Sequence, residues 1–254
     1  MDFRLYQPQG RTADHIQGIW SVYVSSEHDE PIDKLLFGDA GSGVLFNFGA
    51  DVFFADAWHA PGIVLLPVSL KAQTVILPAG TLMAGIRFHP AMGYQCLGKR
   101  FEQPVRSEQE PDIHTRLSPL YEQMRHCQGH NGRLRVLYQY AQQHFVHDDD
   151  ERKQVVRLVQ HAHSNPSAPA TVGLRQIERH FQTWMGMTPK YYQRLIRVKQ
   201  ALEQLKRSPS TPLADLAAEL GFADQAHMTR EFRALANITP KHYARRCLHI
   251  GAPK

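Results

Sequence analysis

The chain has 254 residues, of which 43% are hydrophobic and 21% are charged. This composition excludes wholesale disorder and is typical of a globular protein with one large domain or two modest ones. The sequence contains no apolar run near the roughly 18 residues needed to cross a bilayer. It also lacks the pattern of a secretory signal, and its three cysteines are too scattered for a disulfide framework or a zinc site. We therefore expect a cytoplasmic protein that does not engage a membrane.

The net charge of +5 is unevenly distributed along the chain. Residues 1–150 contain 12 Lys and Arg against 17 Asp and Glu, whereas residues 151–254 contain 17 against 7, so the net charges are −5 and +10. A basic C-terminal part indicates a module that binds a polyanion, although a cationic solvated face would have the same composition. The change of sign coincides with the acidic run 148–151. We interpret this run as a linker between a domain at 1–147 and a domain at 152–254.

The N-terminal part contains short segments rich in Val, Ile and aromatic residues, separated by Gly, Pro, Asp and Ala. These segments predict strands at residues 15–24, 43–48, 51–54, 62–66, 71–77 and 82–88. Several short strands at close spacing are typical of a β-barrel or a β-sandwich. From Ser118 onward the apolar spacing predicts two flanking helices. The expected fold class is therefore α+β multidomain, with an N-terminal barrel or sandwich and an all-α C-terminal domain.

The N-terminal part shows no motif of catalysis or metal binding. It has no G-x-S-x-G, no H-E-x-x-H and no glycine-rich phosphate loop, and the 15 histidines of the chain lack the spacing of metal ligands. We expect no enzyme activity, no metal and no cofactor. A small barrel can nevertheless enclose a ligand. Five aromatic residues could line such a cavity or could equally form plain core: Trp20, Phe46, Phe48, Trp58 and Phe88.

The C-terminal part contains an internal repeat. When it is shifted against itself by 51 residues, seven of sixteen aligned positions are identical, from Arg179 on Arg230 to Arg194 on Arg245. This agreement implies one structural unit used twice. A Thr-Pro pair, at 188–189 and again at 239–240, predicts a helix start in each copy, with Thr as the N-cap and Pro at the first helical position.

The second copy predicts a helix-turn-helix. Residues 211–221 form a short Leu/Ala pattern that ends at Gly221, and Asp224 is placed to cap the following helix. In that second helix an apolar stripe lies opposite a polar face, which in a helix-turn-helix enters the major groove. An ordinary αα-hairpin is the alternative. The basic charge and the duplication together favour DNA binding.

Residues 210–246, STPLADLAAELGFADQAHMTREFRALANITPKHYARR, resemble the second helix-turn-helix of AraC/XylS-family transcriptional regulators. The resemblance covers about residues 152–248 and implies two such motifs joined by one long helix, here 189–207. That helix would hold both recognition helices in adjacent major-groove segments about one helical turn apart. In the N-terminal part, residues 43–49 and 84–98 resemble the cupin-like sensory domains of many of these regulators.

The resemblance assigns base reading in the second motif to Gln225, Ala226 and Arg230. Arg230 can donate two hydrogen bonds to guanine, and Gln225 can pair with adenine, whereas Ala226 can touch only a thymine methyl group or nothing. We expect His227 and Thr229 to meet phosphates, which position a protein without specifying sequence.

The first motif departs from the pattern ahead of its recognition helix. The offset aligns Ala162, Asn165, Pro166 and Pro169 with the apolar stripe of the short helix, and prolines are incompatible with a regular helix interior. Either a shorter connection supports the first motif or the motif is loosened. We hypothesise that the second motif supplies most of the sequence reading.

The first recognition helix carries its own polar face. Arg175 and Arg179 are expected to contribute mainly phosphate contacts. Glu178 could accept a hydrogen bond from cytosine or could pair with a nearby arginine. These two roles stay open on the sequence alone.

The expected function is that of a bacterial regulator that binds double-stranded DNA and activates or represses transcription. The resemblance implies that residues 1–147 form a cupin-like regulatory or dimerisation domain, which could bind a small-molecule effector or a partner. It also implies a contact with RNA polymerase and leaves room for a homodimer. Two alternatives are a constitutive architectural or antagonist factor without an effector, and a cupin-like enzyme fused to a DNA-binding module.

Overall fold

A computed structural model describes residues 1–146 and 174–250 of the chain. The N-terminal part contains ten strands and three α-helices among these residues. The strands are β1 (Asp2–Tyr6), β2 (Ile16–Tyr23), β3 (Ile32–Leu36), β4 (Gly43–Asn47), β5 (Val52–Phe54), β6 (Ala57–His59), β7 (Gly62–Leu66), β8 (Gln73–Leu77), β9 (Leu82–Phe88) and β10 (Val105–Arg106). The helices are α1 (Met92–Leu97), α2 (Pro111–Arg125) and α3 (Gly129–His144).

The strands form two antiparallel sheets that pack face to face. One sheet has six strands in the order β1-β2-β9-β4-β7-β10, and the other has four in the order β3-β8-β5-β6. The strands of the described part of the chain do not close into a barrel. The α+β class is confirmed, and of the two architectures expected for the N-terminal part the sandwich is the correct one.

The central strands of the six-stranded sheet are buried on both faces, which explains their continuous apolar sequences. In β4, Leu45 points into the core between the two sheets, whereas its neighbours Val44 and Phe46 point to the opposite face. Helices α2 and α3 cover that opposite face with an apolar stripe each. The same buried cluster continues into the C-terminal helices.

The C-terminal part contains five helices among the described residues. They are α4 (Leu174–Met185), α5 (Pro189–Arg207), α6 (Leu213–Glu219), α7 (Gln225–Ala236) and α8 (Pro240–Ile250). Nowhere in the two described ranges does a helix combine the length and the apolar character of a membrane span.

The predicted helix starts are confirmed. The Thr188 hydroxyl accepts a hydrogen bond from the backbone N–H of Tyr191 at 3.1 Å, and the Thr239 hydroxyl accepts one from His242 at 3.2 Å. Helices α4 and α7 also end alike, because the equivalent residues Gly186 and Asn237 both adopt the left-handed conformation that commonly terminates a helix. The two copies of the repeat therefore share their local geometry.

Candidate nucleic-acid interface

Helix α7 presents the polar face that the sequence predicts. The Asp224 carboxylate caps it by accepting a hydrogen bond from the backbone N–H of His227 at 2.5 Å. Its apolar stripe, Met228, Phe232 and Leu235, is fully buried against the rest of the C-terminal part. This burial fixes which side of the helix faces outward.

The outward side of α7 carries the predicted base-reading residues. Gln225, Ala226 and Arg230 are all exposed, and they lie on adjacent turns of one helix face. Thr229 is half-buried, and its hydroxyl donates to the backbone carbonyl of Gln225 at 2.9 Å. The structure therefore brings these four residues together on one surface.

His227 is engaged within the protein. Its Nδ1 accepts a hydrogen bond from the backbone N–H of Ala223 at 3.2 Å, and its Nε2 lies 3.7 Å from a carboxylate oxygen of Glu231. The ring also packs edge-on against Phe222. These contacts tie the first turn of α7 to the turn that precedes it.

A charge pair that sequence reasoning missed joins α7 to the long helix α5. The guanidinium of Arg194 donates two hydrogen bonds to the Glu231 carboxylate, at 2.8 and 3.1 Å. Glu231 is 9% exposed, and its hydrogen bond with Arg194 raises the pKa of that guanidinium above its usual value. Arg194 also lies over the Tyr191 ring, 5.5 Å from its centroid. The only sequence signal for this role is that Arg194 belongs to the repeated pattern.

Helix α6 supports α7 in the way that a helix-turn-helix requires. Leu216 and Ala217 are buried, and the backbone N–H of Phe222 donates to the Ala217 carbonyl at 2.9 Å. Gly221 provides the left-handed residue of the turn, at a φ of 70°. Leu213 and Leu220 are half-buried and pack on the same core, so the predicted inward stripe is confirmed.

Helix α4 presents a second polar face. Arg175, Glu178 and Arg179 are exposed, whereas Ile177 and Phe181 are buried. No ion pair of Glu178 is found among the described residues. The proline-containing segment ahead of α4, with Ala162, Asn165, Pro166 and Pro169, lies outside the described residues.

Helix α5 connects the two motifs and forms the centre of the C-terminal part. Its buried side includes five apolar residues: Leu195, Ile196, Val198, Leu202 and Leu205. The helix contacts α4, α7 and α8. It is therefore the element that sets the position of one polar face relative to the other.

The N-terminal sandwich contacts the C-terminal end of α7. The backbone N–H of Ala72 donates to the Leu235 carbonyl at 2.8 Å, and the Asn237 side-chain amide donates to the Ala72 carbonyl at 3.3 Å. Tyr191 at the start of α5 donates to the Leu70 carbonyl at 3.4 Å. The loop before β8 thus contacts both α5 and the segment that ends α7.

A half-buried polar cluster forms a second contact between the sandwich and α5. Arg87 pairs with Asp39, donating from Nε at 3.1 Å, and a suitably oriented Gln17 amide donates to Asp39 at 2.9 Å and accepts from Lys199 at 3.2 Å. Burial by itself would raise the pKa of Asp39, but the charge and hydrogen bonds of Arg87 outweigh it and hold that pKa below its usual value. Burial, and then the Asp39 charge, raise the pKa of Tyr192 on α5 to about 12.

The five aromatic residues proposed to line a ligand cavity lie in different places. Phe46 and Phe88 are fully buried in the core on the helical face of the sheet, and Phe48 stacks on Tyr121 of α2. Trp20 lies on the other face against Gly85, and Trp58 is 55% exposed on β6. The structure does not bring the five together, and their role as ligand-binding residues stays a prediction.

A cavity of about 390 Å³ lies where the sandwich meets the C-terminal part. Its lining includes Ser69, Lys71, Thr74, Arg87 and Asn237. None of the five aromatic residues named above contributes to it. Within residues 1–146 and 174–250 no group of three or more His, Cys, Asp and Glu is placed to hold a metal ion.

Comparisons with known proteins place the C-terminal part in a family. Residues 167–246 match the family model described as "Helix-turn-helix domain". Among solved structures, ToxT from Vibrio cholerae is similar at 12% identity and a TM-score of 0.41, over 85% of this chain and 97% of ToxT. The AraC-like transcriptional activator CuxR is similar at 11% identity and a TM-score of 0.34, over 99% of this chain and 86% of CuxR.

The family assignment rests on the match over residues 167–246 together with the geometry of α6 and α7. Both predicted features of that geometry, the N-capped second helix and the polar outer face, are present. Residues 167–246 therefore form a helix-turn-helix domain of the AraC type, the kind of module with which transcriptional regulators bind DNA.

Proposed function

We propose that the chain binds asymmetric DNA sites by placing α7 and α4 in two adjacent major-groove segments, with α7 supplying most of the sequence reading. The observation that carries this proposal is the exposed face of Gln225, Ala226 and Arg230 on a helix that is capped by Asp224 and fastened by Arg194. A rigidly held helix keeps its side chains in the geometry that base reading demands.

The roles on α7 follow from side-chain chemistry. Arg230 donates two hydrogen bonds to guanine, Gln225 pairs with adenine, and Ala226 offers only a methyl group to thymine. Thr229 and His227 lie at the edge of this face and meet phosphates. On α4, Arg175 and Arg179 bind phosphates, and Glu178 accepts from a cytosine or pairs with an arginine in the complex.

The N-terminal sandwich is proposed to be a regulatory domain at residues 1–147, joined through 148–151 to the DNA-binding domain at 152–254. An effector or partner that binds it would need a different affinity for two arrangements of the domains. We place a small-molecule effector at the cavity that Ala72 and Asn237 help to line. Ala72 is hydrogen-bonded to both ends of the Leu235–Asn237 segment, so a ligand in this cavity would contact a residue that is bound to the end of α7. The cytoplasmic location, the contact with RNA polymerase and the absence of enzyme activity stay predictions from the sequence.

The test is selection of the full chain against a library of randomised duplexes. A sequence-specific regulator binds its selected site about 10³-fold or more tightly than random DNA. Arg230→Ala should remove the preference at one base pair, a loss of about 1–3 kcal/mol. Arg179→Ala should weaken binding to all sequences about equally and reduce the salt slope by about 1.

Arg135→Ala on α3 is the matched control, because it removes an exposed positive charge from the N-terminal part. It should leave both the base preference and the affinity unchanged. Equal loss of base preference in Arg230→Ala and Arg179→Ala would contradict the assignment of sequence reading to α7.

A further inference from the structure

Strand β1 is an exposed edge that combines two charged residues, Asp2 and Arg4, with exposed apolar side chains. It ends the six-stranded sheet, so one side of its backbone has no strand beside it among the described residues. Five of the eight exposed large hydrophobic residues of the described chain lie on β1 or beside it: Met1, Phe3, Leu5, Tyr6 and Tyr23. A long apolar edge strand is a template for pairing with another chain, and proteins normally protect such edges.

The two faces of β1 have different surroundings. Asp2 lies 3.4 Å from His130 and Tyr6 packs edge-on against Tyr138, so these residues face α3. Phe3 and Leu5 point to the other face, where they are 49% and 53% exposed. Helix α3 therefore holds the strand in place while its apolar face and its outer edge stay open.

The sequence of β1 is complementary to itself in one antiparallel register. When Phe3 lies opposite Phe3 of a second copy, Asp2 lies opposite Arg4, and Leu5 lies opposite Met1. Met1, Phe3 and Leu5 then each meet an apolar residue, Asp2 and Arg4 each meet the opposite charge, and Tyr6 lies beyond the paired segment. Shifting the register by one pair would place Arg4 opposite Arg4, and like charges directly opposite each other are unfavourable.

The other sheet edges do not offer the same surface. Strand β10, at the opposite end of the six-stranded sheet, has only two residues, and β6 has three. Strand β3 also has five residues, but Leu36 alone among them is an exposed large hydrophobic residue, whereas β1 exposes Phe3, Leu5 and Tyr6.

We infer that β1 is a homodimer interface, at which two copies of the chain join their six-stranded sheets edge to edge in the register centred on Phe3. The two copies present the same surface to each other, as a twofold-symmetric dimer requires. Each copy buries its exposed Phe3 and Leu5 against the other. This inference does not depend on how the C-terminal domain reads DNA.

The test measures the oligomeric state of the full chain by sedimentation equilibrium over a concentration series. The expected result is a reversible dimer of the unaltered protein. Asp2→Arg places Arg opposite Arg4 of the other copy, and Arg4→Asp places Asp opposite Asp2. Each variant should weaken self-association by about tenfold or more, because two opposite-charge pairs become like-charge pairs.

An equimolar mixture of the two variants is the decisive arm. In a mixed dimer every Arg again lies opposite an Asp, so the mixture should recover the affinity of the unaltered chain. The double variant Asp2→Arg/Arg4→Asp should recover it without mixing. Asp33→Arg on the edge strand β3 is the matched control and should leave the dimer unchanged.

Three outcomes would overturn the inference. The first is a monomer at all concentrations up to about 100 μM, well above the micromolar affinities of weak specific complexes. The second is a dimer that Asp2→Arg and Arg4→Asp leave intact. The third is a loss of the dimer that neither the mixture nor the double variant restores, because that result would show damage to the strand and not a charge pairing.

Discussion

Helices α4 and α7 are equivalent elements of one repeat, yet they are fastened in different ways. Glu231 in α7 is paired with Arg194, whereas the equivalent residue in α4 is His180, which stacks on Trp184 at 4.5 Å between ring centroids. Helix α4 instead contacts α1 of the N-terminal part, and Arg100 lies against Gly186 at its end. Both helices expose a polar face with an arginine at the equivalent position, Arg179 and Arg230, whereas the contacts that hold the helices differ.

This difference teaches that the N-terminal part contacts the two helices at different places, α4 through α1 and α7 at its C-terminal end through Ala72. The charge pair of α7 lies wholly within the C-terminal domain, whereas the contacts of α4 include the N-terminal part. A rearrangement of the sandwich at α1 would therefore reach α4 without passing through the Arg194–Glu231 pair.

The largest effect is expected from the equivalent residues Phe181 and Phe232, which are both fully buried. Phe181→Ala and Phe232→Ala should each lower the free energy of unfolding by about 3–5 kcal/mol, because each leaves a cavity in a packed core. Urea unfolding followed by circular dichroism measures both. A much smaller loss of unfolding free energy for Phe181→Ala would show that the first copy is more loosely packed than the second. The two copies would then differ in stability as well as in their contacts.

A smaller effect is expected at the charge pair. Arg194→Ala leaves the Glu231 carboxylate buried without its partner and should cost about 2 kcal/mol of unfolding free energy. The matched control is Arg245→Ala, because Arg245 occupies the equivalent position and is exposed. It should change stability by no more than about 0.5 kcal/mol. If Arg194→Ala and Arg245→Ala lost the same unfolding free energy, the proposed difference between the two copies would be wrong.

The double variant Arg194→Ala/Glu231→Gln sharpens the same point. Removing the carboxylate charge should recover part of the lost stability, because the neutral amide costs less to bury. A double variant as unstable as the sum of the two single changes would assign the loss to packing and not to the charge pair.

The smallest effect concerns the polar cluster beneath α5. The pKa of Asp39 is lowered in the folded protein, so its pair with Arg87 contributes fully above the unfolded pKa of about 3.9 and is lost as the pH falls through the lower folded value. Asp39→Asn should cost about 1 kcal/mol at neutral pH. The stability difference between the variant and the unaltered chain should shrink below about pH 3.9.

Unfolding curves of both proteins over a pH series measure this prediction. Because α5 contacts both α4 and α7, loss of the Asp39–Arg87 pair should destabilise these two helices together. Hydrogen exchange of their backbone amides measures this effect for each helix separately. A stability difference between the two proteins that grows as the pH falls would contradict the lowered pKa of Asp39. Faster hydrogen exchange confined to one of the two helices would contradict the shared role of α5.

The C-terminal helices could be predicted because their signals are local. Thr188 and Asp224 cap helices that begin within three residues of them, and the apolar stripe of α7 repeats with the helical period. The central strands could be predicted for a similar reason, since both faces of β4 are buried and its sequence is uniformly apolar. Strands β1 and β3 were missed because they lie at sheet edges and mix charged with apolar residues.

The contacts between distant parts of the chain could not be predicted. Asp39 and Arg87 are 48 residues apart, and Arg194 and Glu231 are 37 apart, so no spacing rule connects them. The short strands were compatible with either a barrel or a sandwich, because strand length does not determine whether a sheet closes. The exposed polar face of α7 and its Asp224 cap were predicted, but the Arg194–Glu231 pair that joins α7 to α5 was not.

The single helix between the two polar faces has a consequence for how such a protein can change over time. Helix α5 has 19 residues, and inserting one residue in a helix turns everything beyond it by about 100° and moves it by about 1.5 Å. One inserted or deleted codon would thus point one of the two faces away from the duplex. In the proposed complex the protein thus fixes the spacing of the two DNA segments, and new target sites would arise by exchanging bases or side chains at constant spacing.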